Sequence, residues 1–195
     1  MHGGRGEPVR LTLAIAGVDF DDERISFPEF GQRRDGYPFC AVPTLEIEGQ
    51  SWTQSNAMLR YFGAQCGLYP SDPMQALRCD EAMGVLEDAS HALVRTFGLE
   101  GDAMKAARTS LVEKTIAPYL RTFNQRIAAT EGLFLSGDKM TVADLKLFVW
   151  ARALASGRMD HIPTNIVEAE APRVAALRDA VAAHEGVQAY YAQFE

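Results

Sequence analysis

The chain has 195 residues, with 19 Lys and Arg against 26 Asp and Glu, for a formal net charge of -7. Hydrophobic residues make up 47% and charged residues 23%, which supplies a core and excludes a disordered chain. Residues 1–70 hold 6 Arg, no Lys and 9 acids, and residues 71–195 hold 13 basic and 17 acidic residues, so neither part offers a basic patch for nucleic acid or an anionic membrane.

The start, Met1-His2-Gly3-Gly4-Arg5, lacks the apolar stretch of a secretory signal. Glu7 and Pro8 suit the opening of a helix, Val9 to Ala16 is mostly apolar, and Gly17 is a natural stop. A short strand is expected around Phe20–Ser26. Pro28, Gly31, Gly36 and Pro38 then predict a long loop over residues 27–40. Leu45, Ile47 and Trp52, with Gly49 at the turn, read as a hairpin that Pro43 must open or edge. Gln54-Ser55-Asn56 leads into a helix over Ala57–Cys66, which either Ser55 or Asn56 can cap.

Pro70 and Pro73 mark residues 68–73 as a linker, and helical periodicity dominates beyond it. One helix is expected from about 73 to 98. A second runs from about 102 to 130, bent at Pro118. Thr141 opens a third that ends near Gly157, and two shorter helices follow over 172–184 and 187–193. No apolar run reaches the roughly 20 residues of a membrane span. Cys40, Cys66 and Cys79 are odd in number and have no zinc-ligand spacing, which points to a reducing, cytoplasmic setting. The expected fold class is therefore α+β. A small thioredoxin-like unit occupies residues 1–67, residues 68–73 link it, and an all-helical unit fills residues 74–195.

The strongest local feature is Val42-Pro43 followed, after one hairpin, by Gln54-Ser55 at a helix start. A helix N-terminus offers free N–H groups and partial positive charge, which suits a carboxylate or phosphate. A cis bond before Pro43 would leave the flanking backbone open to pair with an extended peptide. On residues alone a plainer reading stands beside this one: Ser55 caps a helix and Pro43 starts a strand.

Four segments then resemble cytosolic glutathione transferases, and the sigma-like branch in particular. Arg5-Gly6-Glu7-Pro8-Val9-Arg10 is similar to the opening of that family's first helix. Pro38 to Leu45 resembles its cis-proline strand, Gln54 to Tyr61 its γ-glutamyl-binding helix, and Ser136 to Asp144 its helical-domain capping box. The resemblance implies that Gln54 and Ser55 hold the γ-glutamyl carboxylate of glutathione and that the backbone of Val42, before Pro43, pairs with its cysteinyl part. It implies Arg34 at the glycyl carboxylate, with Arg33 competing, and Arg5 near the sulfur. Asp88 matches an acid that reaches the γ-glutamyl amine across a homodimer interface; its alternative is a solvated helix-face acid. Thr141 and Asp144 are expected to serve folding. The implied partners are glutathione as co-substrate and a small hydrophobic electrophile near Ser90–Phe97, where Arg95 adds polarity, with no metal, nucleic acid or membrane.

One departure stands out. The family has a first strand ahead of Arg5, carrying a tyrosine that hydrogen-bonds the glutathione sulfur. Only Met1-His2-Gly3-Gly4 precede Arg5 here, so no catalytic residue is identified, and the expectation is a shortened start or a member that has lost catalysis. Tyr37, Tyr61 and Tyr69 fit core packing better than that role. Cys40 could form a mixed disulfide with glutathione but reads more simply as a small hydrophobe. Two functions follow from the resemblance: transfer of the glutathione thiolate to an electrophile or a glutathione-dependent isomerisation, and a non-catalytic glutathione-binding or scaffold role.

Overall fold

A computed structural model describes residues 4–194. Helix α1 spans Glu7–Ile15, with Pro8 in its first turn and Glu7 at its positive end. Gly17 follows at φ 66°, a conformation that only a residue without Cβ adopts cheaply. Residues 20–26 form no strand, which corrects the expectation there. A strand needs a partner to take its backbone groups, and among the described residues no strand pairs with this segment.

The loop expected over 27–40 is also corrected. Helix α2, Phe27–Arg33, opens with a Ser26–Glu29 capping box and Pro28 in its first turn, and short 3₁₀ turns follow at Arg34–Gly36 and Pro38–Cys40. Its proline sits where a missing N–H costs nothing, so the residues that suggested a break instead begin a helix. The Val42–Pro43 bond is cis. Strands β1, Leu45–Ile47, and β2, Gln50–Trp52, pair antiparallel with Leu45 opposite Trp52, as the hairpin pattern predicts.

Helix α3 spans Ser55–Gln65, and α4 spans Pro73–Val94. Asp72 caps α4 by accepting from the Gln75 N–H at 2.9 Å. The long helix expected over 102–130 is divided. Helix α5, Gly101–Leu111, passes through a π-helical turn at Val112–Ile116 into α6, Ala117–Ala128. Pro118 has no N–H and its ring crowds the carbonyl four residues back. The wider turn just ahead of it absorbs both problems without ending the helix.

Helix α7, Val142–Ala155, is buried nearly all round. Thr141 and Asp144 form its capping box. The Asp144 carboxylate accepts from the Thr141 N–H at 2.7 Å, the Thr141 hydroxyl at 2.8 Å and the Leu135 N–H at 2.9 Å. Burial pushes its carboxyl up to about 6, against these bonds, which favour the ionised form. Helices α8, Ile166–Glu170, α9, Pro172–Ala183, and α10, Glu185–Ala192, complete the chain. The short α8 escapes periodicity because five residues carry too little of it.

One continuous core joins Val9, Leu11 and Leu13 of α1 and Met58, Leu59 and Phe62 of α3 to α4, α7, α9 and α10. The small unit thus seats its helices on the helical unit around α7. Among the described residues no helix is long and apolar enough to cross a membrane.

Candidate glutathione site

Four segments meet at one place: the start of α1, the cis-proline turn, the first turn of α3 and the middle of α4. Gly6 brings α1 close to the turn, since a Cβ there would lie 3.5 Å from the Pro43 Cβ. Val42 itself is 40% exposed. Among the described residues its N–H and C=O have no hydrogen-bond partner, which leaves them open to an extended peptide.

Gln54 stands at the N-terminus of α3 with φ 70° and ψ 95°. A non-glycine residue held there marks strain of the sort that gathers at binding sites. Its side chain is exposed. Ser55 begins the helix and is buried. Neither Ser55 nor Asn56 caps α3, which corrects the sequence expectation. Instead the Ser55 hydroxyl donates to Glu87 Oε1 at 3.3 Å. The plainer reading of Ser55 as a helix cap therefore fails.

Glu87, on α4, is the hub. Its Oε2 accepts from Arg5 Nε at 2.7 Å. Its Oε1 accepts from Lys146 Nζ of α7, and Lys146 also donates to Asn56 Oδ1. Burial would raise the Glu87 carboxyl, but hydrogen bonds and charge from Lys146 and Arg5 outweigh it and hold it below the ordinary glutamate value. The same burial lowers the Lys146 ammonium from its usual value, with Glu87 opposing. The Arg5 Nη2 atom is buried and has no hydrogen-bond partner among the described residues. The cluster thus presents two cations and one anion beside a helix N-terminus, a site suited to a further carboxylate.

Residues 87–193 match the family model described as glutathione S-transferase, C-terminal domain. The chain belongs to the glutathione S-transferase family. It is 29% identical to S-crystallin 4 of Enteroctopus dofleini over 204 residues, covering 97% of this chain and 91% of that one. It is 27% identical to a glutathione S-transferase of Anopheles gambiae over 192 residues, covering 96% and 90%. The structure of prostaglandin synthase D of Nilaparvata lugens superposes with a TM-score of 0.88 at 25% identity, covering 99% of this chain and 94% of that one. The glutathione S-transferase fold, a small thioredoxin-like sheet unit with a helical C-terminal domain, is thereby assigned.

In this transferase-family chain, Arg5 and Ser55 meet on Glu87, Gln54 adjoins Ser55, and Gly6, next to Arg5, abuts Pro43 of the Val42–Pro43 turn. Arg34 lies apart, on the 3₁₀ turn, where its Nε donates to the Cys40 carbonyl at 3.4 Å. Arg33, its competitor, is taken up by Glu23 at 2.7 Å and stacks over Tyr37. Asp88 is exposed and faces away from the cluster, one residue and about 100° around α4 from Glu87. Cys40 is exposed and in no disulfide, its thiol donating to Asp35 Oδ1 at 4.0 Å. The strand and tyrosine looked for ahead of Arg5 fall outside the described residues.

Sequence reasoning missed Glu87, Asn56 and Lys146 as site members. Lys146 did leave a signal: it is a lone charge between Leu145 and the apolar run Leu147-Phe148-Val149-Trp150. A lysine in such a helix must find a carboxylate or lose its charge.

Proposed function

We propose that the chain binds glutathione at this site and transfers its thiolate to a small electrophile, or uses it in an isomerisation, as a sigma-like member of its family. The observation that carries the reading is buried Ser55 at the N-terminus of α3, beside the open backbone of Val42. In this reading Gln54, Ser55 and the first N–H groups of α3 hold the γ-glutamyl carboxylate. Val42, turned by cis Pro43, pairs with the cysteinyl peptide, and Arg34 meets the glycyl carboxylate. Arg5 supplies positive charge near the thiol, whose free pKa of about 8.5 leaves only a few per cent thiolate at neutral pH. Val94, Phe97 and Leu99, exposed at the end of α4, offer an apolar surface for the electrophile.

The domain layout of the reading is a glutathione-holding unit over residues 1–67, a linker at 68–73 and the helical unit over 74–195. We place the protein in the cytoplasm, a setting that suits its three free cysteines. We further propose a homodimer, in which Asp88 reaches the partner's γ-glutamyl amine. Asp88 forms no ion pair among the described residues, and Tyr61, Met74 and Leu77 leave apolar surface exposed.

The test is calorimetric titration of the full chain with glutathione, followed by an electrophile assay. Saturable binding that weakens about tenfold in Ser55→Ala, with a matching rise in KM, is the expected result. Unchanged binding in that variant would remove Ser55 from the site. One observation favours a second reading, a glutathione-binding member without catalysis: no described tyrosine hydrogen-bonds a described member of the cluster. Tyr190 instead takes a bond from Arg24 at 2.7 Å, and burial pushes its hydroxyl up to about 12. Tight binding with no turnover of any electrophile would select that reading.

A further inference from the structure

Lys146 is only 5% exposed, inside a helix whose other buried residues are almost all apolar. A buried ammonium is costly unless its partners are well placed. Here it has two, and both belong to the candidate site: Glu87 Oε1 and Asn56 Oδ1. Asn56 is in the first turn of α3, and its amide also donates to the Met83 carbonyl of α4 at 3.4 Å. Lys146 therefore ties α7 to the turn of α3 that carries Ser55 and to the α4 carboxylate that faces it.

The charge balance gives this tie a consequence. Arg5 and Lys146 contribute two positive charges and Glu87 one negative, so the cluster is left at +1 next to the N-terminus of α3. Glu87 lies within 3.3 Å of the Ser55 hydroxyl, where a ligand carboxylate would also come. Without Lys146, only Arg5 would offset Glu87, and an arriving carboxylate would meet a neutral cluster with a negative group against Ser55. With Lys146, the Glu87 oxygen that faces Ser55, Oε1, carries a cation of its own, and Arg5, whose Nε sits on Oε2, keeps for the ligand its buried Nη2, unpartnered among the described residues.

We propose that Lys146 is a positioning residue that sets the selectivity of this site for a ligand bearing a carboxylate at its γ-glutamyl end. It acts through Glu87 and Asn56 and touches no ligand. The inference deepens the glutathione reading and rests on it.

The experiment compares two peptides by calorimetry on the full chain: glutathione, and its analogue with 4-aminobutyrate in place of the γ-glutamyl residue, which lacks only that α-carboxylate. The parent chain should prefer glutathione. Lys146→Met should weaken glutathione binding about tenfold while leaving the analogue nearly unchanged, so the preference collapses. Lys146→Arg should keep the preference, because it keeps the charge. Lys146→Met combined with Glu87→Gln should restore it, because the net charge returns to +1. That neutral pair also serves where Lys146→Met alone fails to fold. An equal loss for both peptides, an unchanged preference in Lys146→Met, or no preference in the double variant would each overturn the inference. Binding of neither peptide by the parent chain would defeat the glutathione reading itself. An intact preference in every variant would defeat only the role of Lys146.

Discussion

Glu87 shows how one buried carboxylate links stability to the site. Its pKa is lower in the folded chain than in the unfolded one, so the folded chain binds fewer protons around it. The stability it adds is complete above the unfolded glutamate value of about 4.3 and is lost as pH falls through the folded value. Thermal midpoints of the parent and Glu87→Gln should therefore differ most near neutrality and converge on acidification; a constant gap from pH 7 to pH 3 would show that the charge of Glu87 does not stabilise the fold. We expect Asp144 to act on folding alone. Asp144→Ala would strand the buried N–H groups of Thr141 and Leu135, and we expect a loss of about 2–4 kcal/mol by urea denaturation. Glutathione affinity of the folded fraction should not change.

At the scale of elements, the contact between α3 and α7 is set by a missing side chain. A Cβ on Gly63 would lie 2.7 Å from Val142 Cγ1 and 3.2 Å from Tyr69 Cβ. Gly63→Ala should gain helix propensity yet lose about 1–2 kcal/mol net by prying the two helices apart. Val142→Ala removes one of the two clashing atoms, so Gly63→Ala should cost less in that background, a coupling that a double-mutant cycle reads directly. Because α3 carries Ser55 and α7 carries Lys146, the same wedge should also weaken glutathione binding. The π-helical turn before Pro118 is a parallel case, where backbone geometry adapts to a residue that would otherwise break the helix.

For the whole molecule, the proposed dimer has a direct test. Sedimentation of the full chain should give a species of about twice 21.4 kDa. Asp88→Asn should leave that mass unchanged and weaken glutathione about fivefold, since a charge-assisted bond to the ligand amine is lost. A monomer at micromolar concentration that still binds glutathione fully would remove Asp88 from the site. The packing of α1 and α3 on α7 through one continuous core also argues that the two units unfold together, as a single transition.

What the sequence by itself determined is local. The hairpin at Leu45–Trp52, the ends of α1, the start of α4 and the Thr141–Asp144 box are legible because turn glycines, helix-start prolines and capping side chains act within a few residues, while α4 stops at Val94, short of the expected 98. Val42, Gln54 and Ser55 stood out as candidates for the same reason, each standing at a recognisable start or turn, whereas Arg5 became one only through the family resemblance. Residues 20–26 and 27–40 were misread because a strand exists only if a neighbour pairs with it, and because Pro28 ends one helix or begins another depending on what precedes it. Tertiary structure alone decided that Ser55 faces Glu87 instead of capping α3, and that Lys146, 59 residues from Glu87 and 90 from Asn56, closes the cluster. Buried charges choose partners by proximity in space, across helices that only the packed core brings together.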